Sequence, residues 1–249
     1  LREELEAAGH VFASRSDTEV LVHGYEEWGS DFVSRLNGMF AFALLDRTRG
    51  VVVLARDRMG IKPLHYAIDG SRLVFASELK ALLVDPALRR GVDPVALDQY
   101  LALEFVPSPR SMVLGISKLP PAHTLTWTVA DGTSVLRRYW KPSLAEGGDS
   151  RRALSLDSQC EELRAVLRES VRKELISDVP LGVFLSGGID SSAVAAMMTQ
   201  LGSEVKSFSV GFADRSFDES GYARQVARHL GTDHHELVLE PGMLLGLIP

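Results

Sequence analysis

Residues 181–192 read Leu-Gly-Val-Phe-Leu-Ser-Gly-Gly-Ile-Asp-Ser-Ser. This stretch decides the fold of the second half of the chain. Leu181–Leu185 has the length and apolar character of a buried strand, and two glycines turn it straight into a helix predicted over Ser191–Leu201. Outward from there, Lys206–Val210 reads as a strand, Glu219–Leu230 as a helix and Glu236–Leu239 as a strand. Upstream, Ser158 and Glu161 have capping-box spacing and open a helix with Leu163, Val166, Leu167, Val171 and Leu175 on one face. Strands alternating with helices imply right-handed crossovers and a parallel sheet, an α/β architecture.

The turn carries chemistry. In a parallel sheet, ligands bind at the carboxyl ends of the strands. Gly187 and Gly188 allow close backbone approach, and the free N–H groups of a helix start favour phosphate. Ser186, Ser191 and Ser192 add hydroxyl donors. The G-x-x-x-x-G-K-[ST] pattern is absent, so no lysine serves a terminal phosphate. Asp190 would repel phosphate unless a divalent cation bridged the two, which points to Mg²⁺. The plainer alternatives are a tight strand–helix turn without a ligand, and Asp190 as the N-cap of the helix.

The first 140 residues follow a different grammar. After a helix-like LREELEAAG, Val11–Ala13 reads as a short strand, and Ser16-Asp17-Thr18-Glu19 starts a helix running to about Trp28. Asn37-Gly38 turns into Met39–Leu45, which pairs with Val51–Ala55. Leu64–Ile68 and Arg72–Ala76 form a hairpin across Asp69-Gly70, and His123–Val129 with Ser134–Tyr139 another across Asp131-Gly132. Ser77 caps a short helix, and Asp93-Pro94 starts one running to about Leu103. Antiparallel hairpins with helices between them make an α+β domain over 1–140. Residues 141–157, rich in Pro, Ser and Gly, read as a linker to a second domain over 158–249.

Composition narrows the classes. Of 249 residues, 45 % are hydrophobic and 24 % charged, which is globular usage and excludes collagen-like and disordered chains. The longest apolar run, Met39–Leu45, is far short of the roughly 18–20 residues a membrane helix needs. Net charge is −6 without a basic patch, so neither nucleic acid nor a membrane is an expected partner. The single cysteine, Cys160, allows no internal disulfide, which makes a cytoplasmic setting the default.

Ser186–Ser192, SGGIDSS, resembles the pyrophosphate loop of the N-type ATP pyrophosphatases. Its surroundings narrow the resemblance to the glutamine-hydrolysing asparagine synthetases. They are Ser177-Asp178-Val179-Pro180, Ser207–Gly211 and Phe217-Asp218-Glu219 through His234-His235-Glu236. In the first part, Arg15–Glu19, Leu36–Phe42, Arg56–Leu64 and Ser77–Leu82 are similar to the glutaminase domain of that family. The resemblance implies an Ntn-hydrolase-like sandwich followed by a Rossmann-like ATP pyrophosphatase domain, both incomplete.

It also implies an activity. A class II glutaminase releases ammonia, and ATP activates the side-chain carboxylate of aspartate as an acyl-adenylate that ammonia then attacks. By the resemblance, Asp17 receives the α-ammonium of glutamine; its plainer role is to cap a helix from Thr18. Phe184, Leu185 and Val210 meet adenine, or else are plain core. Ser186, Gly187, Gly188, Asp190, Ser191 and Ser192 bind ATP and its pyrophosphate, and Asp190 holds Mg²⁺. Asn37-Gly38, Arg56-Asp57 and Lys62-Pro63 are read as architectural. His65 stands where Tyr is commoner in the family, a harmless change. Asp218 and Glu219 start a helix, with a substrate-facing role as the alternative. His234 and His235, adjacent on a strand, point to opposite faces and suit no common metal. Cys160 matches no catalytic position.

The family's cysteine nucleophile, early arginine and Asn-Gly-Glu segment fall before a match to Leu1. Its Ser-Gly-Glu-rich segment falls after Pro249. The expectation is therefore a central piece of a longer enzyme, without glutaminase activity by itself. Other expected readings are amidation of a different carboxylate, a β-lactam synthetase-like ligase, and an inactive nucleotide-binding remnant or partner subunit. The expected partners are the small molecules glutamine, ATP and aspartate or another carboxylate; homodimerisation is possible.

Overall fold

Ser16 stops the chain in an extended conformation and its Oγ accepts the Thr18 N–H, which opens helix α2, Asp17–Trp28. The computed structural model describes residues 1–143, 154–202, 204–212 and 218–239. It divides into two units, residues 1–144 and 145–249. Among the described residues no helix is long and apolar enough to cross a membrane.

In the first unit, α1 (Arg2–Ala7) and α2 precede a 3-10 helix, Gly29–Arg35. The strands are β1 (Ala41–Asp46), β2 (Val51–Arg56), β3 (His65–Asp69), β4 (Arg72–Ala76), β5 (Ser117–Lys118), β6 (His123–Thr128) and β7 (Ser134–Arg138). Helices α3 (Leu79–Leu82) and α4 (Pro94–Leu103) lie between β4 and β5. One antiparallel sheet has the order β1-β2-β6-β7, the other β4-β3-β5.

The buried run Val53-Leu54-Ala55 shows how the layers stack. Val53 and Ala55 pack with Tyr25, Phe32, Val33 and Leu36 of α2 and the 3-10 segment. Leu54 faces the other way, toward Leu64, Leu119, Leu125 and Trp127, with Tyr66 and Leu73 of the second sheet against them. The far side of that sheet meets Leu82 and Leu88. The unit is thus helix, sheet, sheet, helix, and β2 is buried on both faces because it is interior in two senses.

In the second unit, α5 (Leu156–Glu174) precedes β8 (Gly182–Phe184), α6 (Ile189–Gln200), β9 (Lys206–Phe212), α7 (Ser220–Leu230) and β10 (Asp233–Leu239). The sheet is fully parallel, in the order β10-β9-β8. Leu185, Ala195, Ala223 and Ala227 form the core between the sheet and helices α6 and α7. Helix α5 packs through Val171 against Met198 and Val205. Phe184, Phe208, Val210 and Phe212 lie on the other face of the sheet, each at least 38 % exposed.

Several expectations need correction. Residues 11–13 form no strand, because Glu19 takes the Ala13 and Ser14 N–H groups that a ladder would need. Helix α5 starts at Leu156 with Ser155 as its cap; Ser158 lies inside the first turn and donates its N–H to Ser155 Oγ. The α5 stripe is buried only toward its end, since Leu163 and Val166 remain exposed while Val171 is 8 % exposed. Helix α6 begins at Ile189, two residues earlier than expected. The 3-10 helix and β5 gave no sequence signal. Of the segment expected as a linker, residues 144–153 lie outside the described residues, as does Phe217.

Candidate functional site

Strand β8 ends at Phe184, and the Leu185 N–H still bonds to Phe208 O at 2.8 Å, so the loop leaves the carboxyl end of a paired parallel strand. Gly187 has φ +82°, and a Cβ there would lie 2.5 Å from Tyr222 Cβ, 2.6 Å from Tyr222 C and 2.7 Å from Ala223 N. Only glycine lets the loop sit on the first turn of α7. Ser186 Oγ accepts the Gly188 N–H at 3.2 Å and pairs with Ser191 Oγ at 3.0 Å, which holds the loop in shape. Gly188 is the N-cap of α6 and supplies no side-chain cap. The first amides of this 12-residue helix therefore keep the unmet N–H groups of any uncapped helix start.

Asp190 is exposed in the first turn of α6. The capping alternative fails, since the N-cap is Gly188 and among the described residues no side chain bonds the first amides. Ser192 Oγ is buried and has no hydrogen-bond partner among the described residues. The residues expected around adenine separate by face. Phe184 is 80 % exposed and Val210 38 %, on one side of the sheet, whereas Leu185 is 2 % exposed in the core beneath α6 and α7. Leu185 can offer a ligand only its backbone.

Asp218 accepts the Ser220 N–H and Oγ–H, both at 3.1 Å, and the first of these bonds chiefly lowers its pKa. It thereby caps α7, while Glu219 holds the N-cap position without a side-chain bond. His234 bonds Ser207 Oγ at 2.8 Å and Ser209 Oγ at 3.3 Å, and Arg224 holds Glu236 bidentately at 2.8 and 2.7 Å. His235, on the opposite face, stacks on Phe208. Sequence reasoning missed this polar layer. Its signal was the alternation of Ser207 and Ser209 along β9, which puts both hydroxyls on the helix-facing side. Cys160 lies in α5, free and half-buried.

In the first unit, Asp17 is the first residue of α2 and is exposed. Ser16 is the cap, and Asp17 Oδ1 accepts only long bonds, from Ser16 Oγ and Thr18 Oγ1, both at 3.5 Å. Glu19 accepts from Ala13 N at 2.6 Å, Ser14 N at 2.7 Å and Ser14 Oγ at 2.5 Å. These bonds, that from the Ser14 hydroxyl foremost, lower its pKa to about 2. Asp57 is 1 % exposed and accepts backbone N–H groups from Phe40, Met59, Ile61 and Lys62. Arg56 donates to the carbonyls of Lys62, Leu119 and Gly60 at 2.7–2.8 Å, and burial lowers its pKa. Arg56 and Asp57 are the architectural pair the sequence suggested. Asn37-Gly38 is a bend before β1, and His65 opens β3 with Nδ1 against Ser77 O.

Residues 1–140 match the model of the glutamine amidotransferase domain family. The chain belongs to this family. The amidotransferase match is followed by one to asparagine synthase over residues 162–249. Asparagine synthetase [glutamine-hydrolyzing] 3 of Bacillus subtilis is 36 % identical over 96 % of this chain and 40 % of its own length. Asparagine synthetase [glutamine-hydrolyzing] 1 of the same organism is 36 % identical over 100 % of the chain and 38 % of its own length. Amidase chyE of Penicillium rubens is 34 % identical over 92 % and 35 %. The chain spans about 40 % of the length of the first two of these curated relatives.

Proposed function

We propose that these residues belong to a glutamine-dependent, ATP-cleaving amidotransferase that makes asparagine from aspartate through a β-aspartyl-AMP intermediate. The observation that carries this reading is the Ser186–Ser192 loop. It sets an uncapped helix start and a carboxylate that caps nothing at the end of a parallel strand, in a chain of the amidotransferase family.

A carboxylate is a poor electrophile, and adenylation gives it a good leaving group. The α6 amides, Gly187, Gly188 and the hydroxyls of Ser186, Ser191 and Ser192 would hold the departing pyrophosphate, with the helix dipole favouring its charge. The orphaned Ser192 Oγ supports a missing partner there. Asp190 would hold Mg²⁺; a single exposed carboxylate beside substrate phosphates suits that ion, which would neutralise charge on the leaving group. Phe184 and Val210 offer adenine an apolar surface, and Leu185 its backbone. Asp17 would receive the α-ammonium of glutamine. The helix, sheet, sheet, helix order supports an Ntn-hydrolase-like sandwich, and the three parallel strands support a Rossmann-like ATP pyrophosphatase domain. A reducing cytoplasm suits the lone Cys160, and homodimerisation is the association the resemblance suggests.

Pyrophosphate release from ATP by the natural protein tests the reading. It should require aspartate and be coupled to glutamine consumption. Release that is indifferent to aspartate removes the asparagine assignment. A second reading, amidation of another carboxylate, is favoured by the relative named an amidase. ATP cleavage without any need for glutamine would indicate a ligase of the β-lactam synthetase kind. Nucleotide binding without cleavage would indicate a remnant or partner subunit.

A further inference from the structure

Away from the loop, three ligand atoms converge where the chain leaves α1 and meets α2. His10 Nδ1 lies 3.2 Å from His23 Nδ1, His23 Nδ1 lies 3.0 Å from Glu26 Oε2, and His10 Nδ1 lies 3.7 Å from the same oxygen. We propose that His10, His23 and Glu26 form a binding site for a divalent cation of the zinc class.

The spacing is that of a coordination face. An ion with bonds of about 2.0–2.1 Å in tetrahedral geometry keeps its ligand atoms about 3.3 Å apart, and the three separations here bracket that value. The donor set, two imidazoles and a carboxylate, suits zinc and its borderline neighbours rather than magnesium or calcium. Both histidines present Nδ1 to the centre and turn Nε2 to a carboxylate. His10 Nε2 is 3.1 Å from Glu27 Oε2, and His23 Nε2 is 3.7 Å from Glu19 Oε1. The Glu27 carboxylate, at hydrogen-bond distance, fixes the His10 tautomer that leaves Nδ1 free to ligate, whereas Glu19 approaches His23 only as a nearby charge. Both imidazole side chains are 17 % exposed, and Phe12 packs edge-on against His23 at 4.6 Å. Glu26, 55 % exposed, leaves the fourth position to water.

An alternative needs no metal: a neutral pair in which the His23 Nδ1–H is shared between Glu26 and His10. The two differ in stoichiometric binding. Metal-free protein would be titrated with zinc chloride by calorimetry, and with cobalt(II) for its visible spectrum. The expected result is one zinc per chain and a tetrahedral cobalt spectrum without a thiolate band. Zinc should raise the thermal midpoint and slow amide exchange in residues 10–16. His10→Asn should abolish the high-affinity site, and Glu27→Gln should weaken it about 10–100-fold, the usual cost of losing an outer partner. Glu26→Gln, at an exposed position that cannot threaten the fold, should weaken it by at least as much. His235→Asn and Cys160→Ser should leave it unchanged. No stoichiometric zinc, or binding that His10→Asn and Glu26→Gln both leave intact, would overturn the proposal.

Discussion

Gly187→Ala tests the geometry of the loop between β8 and α6. The new methyl would sit 2.5 Å from Tyr222 Cβ, 2.6 Å from Tyr222 C and 2.7 Å from Ala223 N. Two of these atoms are backbone in the first turn of α7, so no rotamer change relieves the clash. Placing an L side chain at φ +82° costs about 1–2 kcal/mol. Forcing the loop and α7 apart adds about 1–3 kcal/mol as overpacking. The combined loss of about 2–5 kcal/mol should lower a urea midpoint by about 1–2.5 M at a slope of about 2 kcal/mol/M. Trp28, Trp127 and Trp140 all lie in the first unit, so tryptophan fluorescence reports that unit, whereas circular dichroism follows the helices of both. The loss should appear in the dichroism transition. Gly188→Ala is the control: its φ is −69° and the nearest atom, Ser186 Oγ, is 3.3 Å away. Its cost should stay within about 1 kcal/mol, the difference between Gly and Ala as a cap. A Gly187→Ala protein as stable as the wild type, or one no worse than Gly188→Ala, would refute the close approach of loop and helix.

Asp190→Asn should weaken Mg²⁺-dependent ATP use by the natural protein at least about tenfold, a modest electrostatic loss. Because Asp190 caps nothing, the unfolding midpoint should hardly move; equal losses in both would make the residue structural. Asp57→Ala empties a buried carboxylate position and leaves four part-buried backbone N–H groups without their acceptor; it should destabilise the first unit by about 2–3 kcal/mol, read by tryptophan fluorescence in urea. Glu19→Gln carries a pH signature. The carboxyl is held at about 2 against an ordinary 4.5, so its contribution is full above about pH 4.5 and fades as pH falls toward 2. The thermal midpoints of wild type and Glu19→Gln should differ at pH 6 and converge near pH 2; a difference that is constant with pH would count against the hydrogen-bonded carboxylate.

Much of the fold is legible because its determinants are local. Asp93-Pro94 opens α4 as read, with Asp93 Oδ1 accepting the Val95 and Ala96 N–H groups. The hairpin expected at Asp69-Gly70 joins β3 to β4, with the turn one residue later at Gly70-Ser71 because Asp69 pairs with Arg72, and Gly231 ends α7 in a left-handed conformation. These signals reach only a few residues along the chain, where propensity and capping act. The failures share one cause. Val11–Ala13 has strand composition but no strand partner among the described residues, and the Glu19 side chain takes the amides of Ala13 and the next residue, Ser14. The 3-10 segment has no pattern of its own and is shaped by packing Phe32 and Val33 against β2.

The sequence by itself determined that a two-glycine turn ends a parallel strand, that hairpins precede it, and which residues line the turn. Those features follow from residue types at short spacing. Only the tertiary structure decided that Asp190 and Asp17 are released from capping, that Leu185 turns from Phe184 into the core, and that His10 meets His23. Each depends on which face of an element is covered and by what, and side chains distant in sequence settle that when they compete for the same buried space and the same backbone hydrogen bonds.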